Sequence, residues 1–179
     1  VLVTQYAPSK SQRRLIKRNR HLTTRLSSQP GEAYYPLYER YIIQRHADGT
    51  MYPPSRQQFD SFIMCAWKKP VFIEAYDGET LIAVAVTDDI DNGSDHQAFS
   101  ALYTFFDPDP GYHSLGSWMI IQQIEHARQS GKTYLYLGYQ IDNCNKMNYK
   151  TRFAPYERLV GNHWKKELKS HTLKAQNKD

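Results

Sequence analysis

Apolar and polar positions alternate along this chain with two different periods, and the change falls near Pro70. Before it the spacing is helical. Ser9 or Ser11 is placed to cap a helix running to about Leu26. Ser27-Ser28-Gln29-Pro30-Gly31 breaks the chain, and a second helix follows from about Glu32 to Arg45, with Tyr34, Leu37, Tyr38, Tyr41 and Ile42 on one face. His46-Ala47-Asp48-Gly49 ends it. Tyr52-Pro53-Pro54 makes a rigid turn, and Ser55 caps a third helix over about Arg56 to Trp67. After Pro70 the pattern is that of strands: Val71–Tyr76, a hairpin turn at Asp77-Gly78, and Leu81–Asp88, apolar enough for a central strand. A polar loop, Asp91–His96, precedes a strand from about Ala98 to Phe106. Asp107-Pro108-Asp109-Pro110-Gly111 stops that strand. Ser114 opens a helix reaching about Gln129 and ending at Gly131. Tyr134–Tyr139 is a further strand, Asn145–Phe153 a short helix, and a last strand lies near Leu159. The end is expected to fray.

Antiparallel strands followed by strand–helix–strand define an α+β arrangement. The order resembles the GNAT-like acyltransferase fold, a mixed central sheet flanked by helices. The resemblance implies that two neighbouring parallel strands splay apart and that the helix between them offers its N-terminus to an acyl donor. Three parts are expected: a basic helical segment over 1–30, a catalytic domain over 31–160, and a basic tail over 161–179.

Charge sharpens this picture. The net charge is +5, and Lys10, Arg13, Arg14, Lys17, Arg18, Arg20 and Arg25 cluster near the start with no acidic residue among them. Such a block attracts polyanions, or simply solvates a helix face. Cys65 and Cys144 are far apart and form no CxxC pair, which suggests free thiols in a reducing compartment and a cytoplasmic protein. The His residues are scattered, so no metal site is expected. No apolar stretch is long enough for a transmembrane helix, and the start has no secretory pattern.

Five stretches carry a more specific likeness. They are Tyr41–Pro54 (YIIQRHADGTMYPP), Leu81–Asp88 (LIAVAVTD), Tyr103–Pro110 (YTFFDPDP), Ser114-Leu115-Gly116, and Tyr134–Lys150 (YLYLGYQIDNCNKMNYK). In this order they resemble the arginyl-tRNA–protein transferases and, more closely, the bacterial leucyl-tRNA–protein transferases that act on N-terminal Asp or Glu. The resemblance implies an aminoacyltransferase whose co-substrate is aminoacyl-tRNA, with no cofactor held by this chain. The implied partners are that tRNA and proteins beginning with Asp or Glu. It also implies a preceding cysteine-bearing domain that nothing here matches. Leucine or arginine as the transferred residue remains open, as do a CoA-dependent N-acyltransferase and a tRNA-binding domain without activity.

Such a reaction has definite needs. A cation must meet the acceptor's acidic side chain, and Arg45, His46, Lys146, Tyr149, Lys150 and Arg152 are the candidates. Lys146 and Lys150 are four apart, hence on one face of a helix. A proton must leave the attacking amine. Asp107, at a strand end, and Asp88 are candidate bases, with Tyr139 as relay or oxyanion donor. Ser114, Leu115 and Gly116 at a helix start suit the 3′ end of the tRNA, because free N–H groups and the helix dipole there favour phosphate. They lack the Arg/Gln-x-x-Gly-x-Gly/Ala pattern of CoA-dependent enzymes. Arg13, Arg14, Lys17 and Arg18 are candidates for the acceptor stem. Phe105, Phe106 and Trp118 are candidate walls for a leucyl side chain, or ordinary core residues. Cys144 has no evident base nearby and reads as a packing residue.

Overall fold

The computed structural model describes residues 1–64, 70–90, 97–144 and 147–168. Cys65, the Asp91–His96 loop, Lys146 and everything beyond Leu168 lie outside the described residues. The elements are α1 (Lys10–Arg18), β1 (Thr23–Ser27), α2 (Tyr34–Arg45), α3 (Arg56–Ile63), β2 (Pro70–Asp77), β3 (Thr80–Ile90), β4 (Ala98–Phe106), α4 (Leu115–Gln129), β5 (Tyr134–Tyr136), β6 (Tyr156–Val160) and β7 (His163–Glu167). Short 3-10 helices occupy Val3–Gln5 and Asn148–Arg152.

Five strands form one sheet in the order β1-β2-β3-β4-β5, and β6 and β7 form a separate hairpin. β1 to β4 are antiparallel to their neighbours, while β5 runs parallel to β4. As its continuous apolar run requires, β3 is central: Ile82, Ala83, Val84, Ala85 and Val86 are all buried. On one face Ile73, Ala75, Ala83 and Ala85 meet Leu115, Trp118 and Met119 of α4. The small alanines leave room for the large α4 side chains, the interdigitation a dense core needs. On the other face Phe72, Val84, Val86 and Phe105 pack under Tyr34, Leu37, Tyr38 and Ile42 of α2 and Phe59 and Ile63 of α3. Phe105 and Trp118 are thus core residues, 0% and 3% exposed, and not pocket walls.

Several helix starts follow local chemistry. Ser9 closes a capping box with Gln12, and Ser55 accepts from the Gln58 N–H at 3.3 Å. The first helix is shorter than its charge pattern predicts. It ends at Arg18, because the buried Asn19 turns its amide to His113 O at 3.0 Å. The chain then enters β1, where the β-branched Thr23 and Thr24 favour a strand and Arg25 lies opposite Glu74. The end of the basic segment, Thr23–Ser27, therefore forms a strand of the main sheet, whereas Lys10–Arg18 stays helical. At the other end, His163–Glu167, expected as tail, pairs with β6.

A buried carboxylate joins three elements. Glu74, 5% exposed, accepts from Tyr34 at 2.6 Å, Arg25 Nε at 2.7 Å and Tyr76 at 2.9 Å. Lys132, also buried, anchors the α4–β5 turn to Asp89 at 2.5 Å. No described helix is long and apolar enough to cross a membrane.

Candidate active site

β4 and β5 part company after three residue pairs. Ala98, Phe99 and Ser100 face Tyr134, Leu135 and Tyr136, whereas β4 continues to Phe106 without a partner on that side. The strand expected over Tyr134–Tyr139 stops at Tyr136 for this reason: beyond it the neighbour has turned away. The start of α4 lies beside the end of β4, where Gly116 meets Phe106. Its first intrahelical bond is Trp118 N to Ser114 O at 3.0 Å, so the N–H groups of Leu115, Gly116 and Ser117 precede the ladder. Ser114 sits in the left-handed region, φ 48°, and its side chain caps nothing. A non-glycine residue held there stores strain of the kind that gathers at working sites. Gly116 allows close approach to β4; a Cβ at that position would lie 3.2 Å from the Phe106 ring.

Aromatic rings from α2 and β4 adjoin this end. Tyr41 lies 4.8 Å from Phe106 and 5.0 Å from the His46 ring, centroid to centroid. Tyr103 packs 6.4 Å from Tyr41 and sets its hydroxyl 3.5 Å from Met51 Sδ. Burial pushes the Tyr41 phenol above its usual range, Arg45 pulls it down, and Tyr149 pushes it up again. Ring contacts place His46, Tyr41 and Phe106 together, and the charges felt by the Tyr41 phenol are those of Arg45, beside it on α2, and Tyr149 of the Asn148–Arg152 turn. Tyr41 and Tyr103 were legible in sequence only as apolar positions. Their role at this end depends on which strand ends beneath them.

A second concavity, about 440 Å³, lies between the segment leaving β5 and the β6–β7 hairpin. Tyr134, Tyr136, Lys150, Glu157, Leu159 and Trp164 are among its walls. Lys150 donates to the Tyr139 carbonyl, and burial lowers its pKa from the ordinary lysine value. Among the described residues it has no carboxylate partner. Gly138, at φ 75°, leaves room beside the ammonium, with Nζ 3.8 Å from where a Cβ would stand. Lys150 thus faces this concavity, whose walls do not include Ser114, Leu115 or Gly116. The turn that carries Lys150, Asn148–Arg152, is a 3-10 helix and not the expected α-helix.

The remaining expected residues are dispersed. Asp107 follows β4, with one oxygen on Arg40 at 2.5 Å and the other accepting from the Asp109 N–H at 3.0 Å. This makes it a group that holds the β4–α4 turn. Asp88 lies opposite Ser100, at the far end of the sheet. The stretch of β4 from Ser100 to Asp107 spans roughly 23 Å at ~3.3 Å per residue, so the two carboxylates cannot serve one site. Tyr139 is 89% exposed, too open for a fixed relay. Arg152 is exposed, and its carbonyl accepts from Gln12 Nε2 at 3.1 Å. Arg13, Arg14, Lys17 and Arg18 all lie on α1, with Arg13 donating to Pro8 O at 2.8 Å. Cys144 is half-buried. Among the described residues, no three His, Cys, Asp or Glu side chains gather as metal ligands.

A mixed sheet with a splayed parallel pair and an open helix start between its strands defines a GNAT-like acyltransferase fold. Solved structures agree on the fold. L-PGS from Bacillus licheniformis superposes with TM-score 0.55 at 9% identity, over 86% of this chain and 50% of that one. The aminoglycoside acetyltransferase meta-AAC0020, from an uncultured soil metagenomic sample, gives 0.53 at 11% identity, over 84% and 99%. The chain belongs to the family described as arginine-tRNA-protein transferase, C terminus, which matches residues 33–160. Curated relatives named aspartate/glutamate leucyltransferase are 48% identical over 162 residues in Shewanella sp. (strain ANA-3), covering 90% of this chain and 66% of that one. In Pseudoalteromonas atlantica the identity is 47% over 164 residues, covering 92% and 69%. The chain spans about two thirds of the length of these relatives.

Proposed function

We propose that the protein transfers leucine from leucyl-tRNA to the N-terminal Asp or Glu of acceptor proteins. The observation that carries this reading is that the residues matched to the transferase family, 33–160, also build the splayed sheet and the open α4 start. Relatives at 45–48% identity bear the leucyltransferase name, which favours leucine over arginine.

In this reading the aminoacyl ester lies at the α4 start. The free N–H groups and helix dipole there favour the negative charge that develops on the carbonyl oxygen. The acceptor's α-amine attacks the ester carbon. The new C–N bond replaces the bond to the terminal ribose oxygen, which leaves with a proton. An α-amine has a pKa near 8, so a useful fraction is neutral at physiological pH. Positioning then supplies more of the acceleration than a strong base would. In this reading Lys150 meets the acceptor's acidic side chain at the edge of the concavity beside the segment that leaves β5, and the α-amine reaches from there toward the α4 start, which lies outside that concavity's walls. The product begins with leucine, a residue that directs proteins to N-degron degradation in the family it resembles. Because aminoacyl-tRNA is a cytoplasmic molecule, the reaction belongs there.

The test supplies radiolabelled Leu-tRNA or Arg-tRNA with peptides beginning Asp, Glu or Ala. Label from Leu-tRNA on the Asp and Glu peptides alone is expected. Label on the Ala peptide, or on none, rejects the reading.

The cations of α1 are proposed to meet tRNA phosphates. Replacing Arg14, Lys17 and Arg18 together by alanine should weaken tRNA binding for every tRNA sequence alike. The slope of log K against log salt should flatten by about 0.7–0.9 for each phosphate that is no longer neutralised. Titration of labelled tRNA at several salt concentrations measures this, and an unchanged slope removes α1 from the interface.

A further inference from the structure

We infer that the protein also selects its acceptors at the second residue, favouring a bulky apolar or aromatic side chain directly after the N-terminal Asp or Glu. This rests on the reading that the acceptor's acidic side chain meets Lys150.

The argument begins with the size and walls of the concavity. At about 440 Å³ it falls within the ~300–1,000 Å³ range of pockets that enclose small ligands. It is far larger than one acidic side chain. Lys150 supplies the cation, unpaired with any carboxylate among the described residues. The rest of the wall is a connected aromatic shelf. The rings of Tyr134 and Tyr136 stack at 6.1 Å and 22°, and Tyr136 lies 6.1 Å from Trp164 at 50°. Leu159 stands directly opposite Trp164 in the hairpin register. Yet Trp164 is 55% and Leu159 56% exposed. Apolar surface of this kind, joined to a cation inside one concavity, suits a ligand with an acidic group and an apolar group side by side.

Charge narrows the occupant further. Glu157, Arg158 and Val1 also line the concavity; Arg158 is held by Asp142 at 3.0 Å and the Val1 ammonium donates to Leu135 O at 2.8 Å, while the Glu157 charge, after burial, helps push the Tyr134 phenol above its usual range. A carboxylate beside the shelf disfavours an anion there, whether a second acidic residue or a nucleic-acid phosphate. The shelf therefore takes a neutral group. A polypeptide beginning with an acidic residue and continuing with Phe, Leu or Trp supplies the anion, the neutral apolar group and a chain that leaves through the open side.

The experiment compares peptides that begin Asp-Phe, Asp-Leu, Asp-Ser and Asp-Gly and are otherwise identical. Transfer from Leu-tRNA gives kcat/KM, and fluorescence anisotropy gives binding without transfer. The protein should favour Asp-Phe over Asp-Gly by roughly tenfold, mostly in KM, as expected for partial burial of one apolar side chain. Trp164→Ala should narrow that ratio to about twofold, whereas Trp164→Phe should keep most of it. Leu159→Ala, a milder change on the same shelf, should fall between them. Equal use and equal binding of the four peptides overturns the inference, as does a Trp164→Ala protein that loses all four in proportion. A graded binding preference without any transfer would support the second-residue selection while rejecting leucyl transfer.

Discussion

Replacing Glu74 with alanine should lower stability by about 3 kcal/mol, the lower end of the ~3–5 kcal/mol cost of breaking a buried ionic network. The lower end applies because the Arg25 side chain is 67% exposed, so water screens its charge and solvates it once the carboxylate is gone. The larger loss falls on Tyr34, 1% exposed, whose hydroxyl would lose its acceptor at 2.6 Å, and on the space left between β2 and α2. Thermal unfolding should show a midpoint roughly 6–12 °C lower, at ~2–4 °C per kcal/mol for a chain of this size. The effect has a definite pH dependence. Burial pushes the Glu74 carboxyl up, but hydrogen bonds from Tyr34, Arg25 and Tyr76 together pull it further down, to a net value below the ordinary range. A group with a lowered folded pKa stabilises above its unfolded pKa, about 4.3 for glutamate, and loses that contribution as pH falls through the folded value. The gap between the native protein and Glu74→Ala should therefore narrow in urea titrations below about pH 4. A gap that stays constant from neutral to acid pH would show that the network contributes packing alone.

Lys150→Ala should reduce kcat/KM for acidic acceptors by roughly ten- to hundredfold. That corresponds to the ~1.5–3 kcal/mol of a hydrogen bond to a charged group. The change should appear in the KM for peptide more than in tRNA affinity, and Lys150→Arg should restore part of it. Peptides beginning with Asn or Ala, if used at all, should be less affected. Equal loss with acidic and neutral termini would move Lys150 from recognition to holding the Tyr139 carbonyl. The pH profile gives an independent reading. Activity should rise as the acceptor amine deprotonates, near pH 8, and fall again as Lys150 loses its proton. Because burial lowers the Lys150 pKa, that fall should come at a lower pH than for an ordinary lysine.

The elements that could be read from the chain are those whose causes are local. The capping box at Ser9, the cap at Ser55 and the apolar run of β3 need no distant partner to be recognised. The β1 strand was hidden because its basic neighbours continued a helical-looking charge block. Its strand state depends on pairing with β2, about fifty residues away in sequence. The β7 strand was hidden in the same way, since His163–Glu167 reads as basic tail until Leu159 faces Trp164. Of the candidate site, Gly116 and the α4 start could be placed by motif. The two aspartates could not be ranked, because sequence does not say that Asp88 and Asp107 stand at opposite ends of the sheet.

By itself the sequence determined the family, the α+β class and the position of the helix start beside a strand end, because periodicity, capping residues and motif order are written along the chain. Tertiary structure alone decided where β4 and β5 separate, that Lys150 turns to the Tyr139 carbonyl, and that Tyr136, Leu159 and Trp164 share a wall with it. Those outcomes depend on contacts between residues far apart in sequence, and on which strand edge runs out of partners first.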